Sequence, residues 1–181
     1  IVYSTGRSLT SYRHLKAQKP LLEPDILIAG VGTQIYHQGD STPDSAWADT
    51  LSHHWDRELV VAIASHFADL TPQPDSEQSH YKVSYFLTQQ ASVEVIPQLE
   101  ELLRDRGLDI QIVYSGSIDL DILPRNANKG MAMAFLRQTL EVESDRTVAC
   151  GDSGNDLSMF ADREERGIIV GNAMIELLEW H

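Results

Sequence analysis

The chain has 181 residues, 42% of them hydrophobic, a single cysteine and a formal net charge of −13. That apolar content supplies one good core, or a modest core with a smaller satellite domain, while the acidic balance excludes nucleic-acid binding through clustered Lys and Arg. No run approaches the roughly 18 apolar residues of a membrane helix, and the opening IVYSTGRS lacks a basic n-region, so a cytoplasmic protein without a membrane partner is expected.

Ile1-Val2-Tyr3-Ser4 reads as the end of a buried strand, so the chain reads as opening inside a strand, as a fragment would. Thr5-Gly6-Arg7-Ser8 then supplies a turn and the N-cap of a helix over about 9–19. A short apolar strand over 25–29 follows, and Gly30 and Gly32 separate it from a second extended piece at 34–37. Strand, helix and strand together indicate an α/β unit. Gly, Asp, Ser, Thr and Pro between 38 and 45 mark a linker, and a domain boundary is placed there.

Beyond it, Trp55, Leu59, Ile63 and Phe67 recur at helical spacing and predict a helix over 54–70, stopped by Thr71-Pro72-Gln73-Pro74. Residues 81–87 alternate like a strand. Val95, Leu99, Leu102 and Leu103 mark a helix closing near Gly107, with Pro97 leaving its start open. Segments 110–114 and 117–123 predict a β-hairpin turning at Ser115-Gly116. After Pro124, the helical pattern of Met131, Ala134, Phe135 and Leu136 leads to a strand over 146–150, a loop from Gly151 and a strand over 167–170. Cys150 closes the apolar run Thr147-Val148-Ala149 and is expected to be buried packing.

The strongest chemical signal is Gly151-Asp152-Ser153-Gly154-Asn155-Asp156, directly after an apolar strand, where α/β sheets bind ligands. Asp152 and Asp156, spaced by glycines that permit tight turning, can hold a hard cation or orient its waters, with Ser153 and Asn155 completing the loop. An Asp-rich turn that only caps a helix is the plain alternative. Asn128-Lys129-Gly130 at a predicted helix start would attract a phosphoryl group through an ammonium and N-terminal amides, or be a solvated surface charge. Ser4-Thr5-Gly6-Arg7-Ser8 offers a hydroxyl and backbone N–H groups to an anion, or is an ordinary cap.

These three elements in this order resemble the haloacid dehalogenase phosphatases. Leu22-Glu23-Pro24-Asp25, Val31-Gly32-Thr33-Gln34-Ile35-Tyr36, His54-Trp55, Tyr81-Lys82-Val83-Ser84-Tyr85 and Asp121-Ile122-Leu123-Pro124 look like its sucrose-phosphatase branch, so the resemblance covers nearly the whole chain. It implies a Rossmann-like α/β core over 1–38 and 122–181 with an α+β cap over 39–121. It also implies magnesium and hydrolysis of a sugar phosphate, sucrose 6-phosphate first, through an aspartyl phosphate. Thr5 and Lys129 would bind the transferring phosphoryl oxygens, Asp152 would ligate the metal, and Asp156 would bind it through water or position Lys129. For the sugar, the candidates are Arg7, Gln34, Lys82, Asp121 and Asn126, beside Gly6 and Asn128 of the phosphate motifs. Where the branch often has an acid, position 34 is Gln. Association with sucrose-phosphate synthase is a further implication.

The family's D-x-D-x-T segment, carrying nucleophile and acid/base, lies upstream of the TGR element and is not in the 181 residues; the last helices are missing too. Asp119-Leu120-Asp121 sits in the predicted hairpin without the following Thr, so Asp121 is read as a sugar or hinge contact or as turn chemistry. The expected consequences are a fragment inactive alone and poorly soluble. Three rivals stand: a phosphatase for another sugar, one for a glycosyl-glycerate phosphate, and a non-catalytic sugar-phosphate-binding regulatory domain. His53-His54 is read as no metal site, since adjacent histidines diverge on a helix. Tyr81, Tyr85 and Trp55 are assigned to the cap core, and the acidic run 162–165 to a solvated helix end.

Overall fold

The computed structural model describes residues 1–161 and 164–180. Its first unit is a three-stranded sheet in the order β1 (Val2–Ser4), β2 (Ile26–Ala29), β3 (Gln34–His37), with β1 parallel and β3 antiparallel to β2. All four residues of β2 are buried because both faces are covered, which is why the strand reads as an unbroken apolar run. On one face lies α1 (Leu9–Gln18), whose Tyr12 packs with Leu27, Ala29 and Tyr36. Against the other face, Ile26, Ile28 and Ile35 pack with Trp47 and Leu51 of α2 (Ser45–Leu51) and with Ala132 and Leu136 further along the chain.

Helix α2 falls partly within the expected linker. It is short, with two apolar anchors four residues apart, and is started by Asp44, whose side chain accepts Trp47 N–H at 3.0 Å. The helix predicted over 54–70 is only α3 (Arg57–Ala64). His54 adopts φ +53° and Asp56 caps the helix by accepting Leu59 N–H at 3.0 Å, so neither residue can extend it. Phe67 reaches the same core from a turn instead.

The second unit is an antiparallel sheet in the order β4-β5-β7-β6, built from β4 (Thr71–Pro72), β5 (Val83–Phe86), β6 (Ile110–Ser115) and β7 (Asp119–Pro124). The intervening α4 (Gln89–Asp105) buries Val95, Leu99 and Leu103 against Val83, Tyr85, Leu120 and Ile122. Pro97 does not delay its start. The residue lies on the exposed face, and the carbonyl it leaves unpaired, that of Val93, belongs to a residue 79% exposed, where water can satisfy it. The hairpin turns through Gly116 and Ser117 at φ +59° and +57°, a type I′ geometry that starts β7 two residues later than expected. Tyr85 and Trp55 join this core; Tyr81 packs against the first unit instead.

The chain then returns through α5 (Lys129–Thr139) to a parallel pair, β8 (Val148–Gly151) and β9 (Arg166–Ile169), and ends in α6 (Ile175–Trp180). Cys150 is exposed, contrary to expectation, because burial alternates along β8 and Cys150 shares an uncovered side with Val148. Of the acidic run 162–165, Asp162 and Arg163 lie outside the described residues. Glu164 is exposed and accepts Ser144 Oγ–H at 3.3 Å, whereas Glu165 is not solvated: its side chain is largely buried against Arg137. Among the described residues no helix is long and apolar enough to cross a membrane.

Candidate active site

Three turns meet where β1 and β8 end. The turn after β1 is strapped to the 3-10 turn Gly30–Gly32 by Gly30 N–H to Arg7 O at 2.8 Å and Val31 N–H to Thr5 O at 3.2 Å. Thr5 Oγ1 accepts Arg7 N–H at 3.2 Å, which shapes the turn around a hydroxyl. A Cβ on Gly6 would lie 3.2 Å from Asn155 Nδ2, so this turn approaches the loop after β8 closely.

That loop is organised around Asp156, which is 3% exposed. Its Oδ2 accepts the N–H groups of Asp152 at 2.9 Å and Ser153 at 3.1 Å, and its Oδ1 accepts Lys129 Nζ at 2.7 Å. Gly151 is needed beneath it, since a Cβ there would lie 2.6 Å from Asp156 Cβ. Lys129, also 3% exposed, donates a second bond to Asn155 Oδ1 at 2.6 Å, and Ser153 Oγ donates to the same oxygen at 3.1 Å. With three donors, Asp156 is committed to holding Lys129. Asp152 is exposed, and its carboxylate accepts no hydrogen bond from the described residues.

Lys129 is presented by the first turn of α5, which Asn128 caps by accepting Met131 N–H at 2.8 Å. Ser158 Oγ accepts Gly130 N–H at 3.0 Å and ties that turn to the Asp156 loop. From the other side, Trp47 Nε1 donates to Gly32 O at 3.0 Å, and its ring lies 5.2 Å from that of Phe135 on α5. Trp47 thus clamps the helix that carries Lys129. Substituting Trp47→Phe keeps the ring and deletes the donor, leaving a buried carbonyl unpaired. An expected loss of about 1–3 kcal/mol follows, to be read from the urea midpoint of the chain.

The turn after β1 and the loop after β8 open into a cleft of about 330 Å³ whose far wall is the face of the antiparallel sheet opposite its helices. Lys82, 3% exposed, donates to Ser84 Oγ at 2.6 Å, to Glu77 O at 3.0 Å and to Asp121 Oδ1 at 3.0 Å; Ser84 Oγ in turn donates to Asp121 Oδ1 at 2.6 Å. Asp119 Oδ1 accepts Gln73 Nε2 at 2.9 Å. Burial pushes the Asp119 carboxyl above its ordinary range, and the neighbouring Asp121 charge adds to the rise.

Of the residues expected on sequence grounds, Thr5, Gly6, Arg7, Lys82, Asp121 and Asn155 line this cleft. Arg7 is exposed at its edge, donating Nη1–H to Ser11 Oγ at 3.1 Å. Gln34 on β3 and Asn126 in the loop before α5 do not line it, nor do Lys129, Asp152, Ser153 and Asp156, nor Asn128, whose side chain is the helix cap. Gln73, Glu77, Ser115 and Asp119 line it without having been singled out. The missed signal is period two: in Asp119-Leu120-Asp121-Ile122, Leu and Ile are wholly buried in the core, so both aspartates must face the other way. The rings of His53 and His54 lie 4.1 Å apart and are tilted by 53°, and among the described residues no group of three or more His, Cys, Asp or Glu is placed to hold a metal.

The sequence profile of the family described as sucrose-6F-phosphate phosphohydrolase matches residues 1–181. Sucrose-phosphatase 2 of Nicotiana tabacum is 44% identical over 184 residues, covering 100% of this chain and 43% of that protein. The chain therefore spans less than half the length of the plant relative. A mannosylfructose-phosphate phosphatase of Agrobacterium fabrum is 36% identical over 178 residues, covering 98% of this chain and 71% of its own. The crystal structure of the sucrose-phosphatase of Synechocystis sp. PCC6803, in complex with sucrose and phosphate, superposes with a TM-score of 0.91 at 46% identity, covering 99% of this chain and 72% of the other. More distant solved structures share the haloacid dehalogenase fold.

Proposed function

This chain belongs to the sucrose-6F-phosphate phosphohydrolase family, and from that premise we propose that it carries the phosphoryl seat and sugar wall of a phosphatase converting sucrose 6-phosphate to sucrose and phosphate. The observation that carries this reading is a cleft lined on one side by Thr5 and by Asn155, whose Oδ1 accepts a bond from the buried Lys129 Nζ, and on the other by Lys82, Asp119 and Asp121. A phosphoryl dianion fits the first group, which offers a hydroxyl, backbone N–H groups and a buried ammonium. A polyol fits the second, where carboxylates and an ammonium are fixed by one another and can exchange bonds with sugar hydroxyls.

The division is a core over 1–38 and 122–181 and a cap over 39–121. The packing of Trp47 and Leu51 with Ile26, Ile28 and Ile35 favours carrying α2 with the core.

The donor set suits Mg²⁺, which keeps several waters and phosphate oxygens and asks the protein for one or two carboxylates. Asp152, exposed and free, would hold it directly; Asp156 is saturated and acts through Lys129. Bound there, the ion would offset charge on the phosphoryl oxygens and the carboxylates.

The attacking carboxylate belongs to a strand outside these 181 residues. The support is a gap: β1 and β8 belong to separate sheets, and between them lies a cleft of about 470 Å³ lined by Val2, Ser4, Ile28, Val148, Ala149 and Cys150. A parallel strand seated there would pair both free edges, cover Val148 and end beside Thr5, Lys129 and Asp152. Attack on phosphorus would break the bond to the sugar oxygen, which takes a proton from the second aspartate of the D-x-D-x-T segment; that aspartate would then take the proton back from the water that hydrolyses the aspartyl phosphate.

The test is phosphate release from sucrose 6-phosphate, mannosylfructose phosphate and other sugar phosphates, with and without Mg²⁺, by a polypeptide extended upstream through a D-x-D-x-T segment. Mg²⁺-dependent turnover that prefers sucrose 6-phosphate and disappears in Asp152→Ala is expected. A preference for another sugar would correct the substrate, and no turnover in a folded, Mg²⁺-binding protein would favour the regulatory domain.

A further inference from the structure

Glu77 stands where the two walls of the cleft meet, and its two ends serve different walls. It closes the 3-10 turn Asp75–Glu77 between β4 and β5. Its backbone carbonyl accepts Lys82 Nζ at 3.0 Å, inside the network that includes Asp121. Its carboxylate crosses to the opposite wall, where Oε2 accepts Ser8 N–H at 3.3 Å and Oε1 accepts Ser8 Oγ–H at 3.4 Å. Ser8 directly follows Thr5-Gly6-Arg7 and caps α1 through Ser11 N–H at 3.1 Å.

Electrostatics favour this crossing. The first turn of α1 has no acidic residue of its own, so the positive end of a ten-residue helix receives its carboxylate from the other wall. Both bonds are long, and Glu77 is only half-buried, so the contact can be made and broken at little cost. A device that must open for a sugar to leave has to be weak in this way.

We propose that Glu77 is a positioning residue that latches the sugar wall to the phosphoryl wall, so that sugar bound at Lys82 and Asp121 steadies the turn carrying Thr5. The inference rests on the sugar-phosphate reading above. A sugar ester profits from the latch because it loads both walls at once. A phosphate ester without a sugar loads one wall and gains nothing.

Amide hydrogen exchange at Ser8, read by NMR on the polypeptide extended upstream through a D-x-D-x-T segment, tests the latch, with sucrose plus inorganic phosphate as the probe. In Glu77→Ala the Ser8 amide should exchange about fivefold faster, the worth of one weak charge-assisted contact, with Glu77→Gln between it and the parent. Sucrose with phosphate should slow Ser8 exchange in the parent and not in Glu77→Ala. Unchanged Ser8 exchange in Glu77→Ala overturns the latch, as does equal acceleration of every first-turn amide of α1, which would make Glu77 a helix cap alone. Absence of any resonance shift with the probe in the parent sinks the sugar-phosphate reading instead, a result separable from the first two. In the extended, active polypeptide, Glu77→Ala should raise KM for sucrose 6-phosphate about fivefold more than it raises KM for p-nitrophenyl phosphate, with Glu77→Gln restoring most of the difference. Equal losses on both substrates would refute the coupling.

Discussion

Substituting Lys129→Met is expected to be the most damaging single change in the phosphoryl seat. The side chain it replaces is 3% exposed and is the only cation bonded to Asp156, itself 3% exposed, among the described residues. Without it a buried carboxylate keeps two backbone N–H donors and loses its counter-charge, a situation that costs about 3–5 kcal/mol. At roughly 2–4 °C per kcal/mol for a chain of this size, a fall in Tm of about 10 °C should follow. In the extended polypeptide, loss of a preorganised ammonium against the transferring phosphoryl group should lower kcat by about 10²–10³-fold. The variant Lys129→Met/Asp156→Asn separates the two effects. Removing the orphaned charge while keeping an acceptor for the loop amides should recover most of the stability and none of the activity. Recovery of neither would mean that Lys129 acts through packing instead of charge.

A comparable loss of stability is expected from Gly32→Ala, for a different reason. Gly32 has φ +100°, where a side chain is strained, and an added Cβ would lie 2.3 Å from the carbonyl carbon of Asn128 and 2.7 Å from Lys129 N. Those atoms are backbone at the capped start of α5 and cannot swing aside. The turn or the helix must move, and a cost of about 3 kcal/mol is expected from overpacking and backbone strain together. Since α5 presents Lys129, the displacement should weaken phosphate binding as well as lower the urea midpoint. By contrast Gly39→Ala meets nothing within 4 Å, although at φ +86° it is also strained, so it serves as the control for backbone conformation alone. Equal losses in the two variants would remove the contact with Asn128 from the explanation.

The proposed phosphoryl seat could be read from local sequence because its parts are contiguous motifs at the ends of strands and the start of a helix. A turn that follows a buried strand must present its backbone amides at the sheet's edge, so Thr5-Gly6-Arg7, Asn128-Lys129 and the loop from Gly151 to Asp156 could be named as anion and cation chemistry before any fold was known. The antiparallel unit was legible for the same reason, since Val83, Tyr85 and Leu87 alternate and Val95, Leu99 and Leu103 recur at four.

The misreadings share one cause. Helix α2 has too few apolar residues to announce itself, and it forms because Trp47 and Leu51 find a finished sheet to cover and Gly32 O to bond. Gln34 and Asn126 read as sugar contacts by type, but strand register and loop path keep them out of the cleft. Glu77 and Ser8 are 69 residues apart, and no local pattern joins them.

Residue types and their short-range spacing determined by themselves which chemistry this chain can carry, because a turn, a cap or a strand face depends on neighbours within a few positions. Only the tertiary structure decided the geometry: that Asp156 holds Lys129 instead of standing free, and that Asp119 and Asp121 face the same cleft as Thr5. These are contacts between segments far apart in the chain, and the free energy that selects them comes from the packing of three cores at once, which no window of sequence contains.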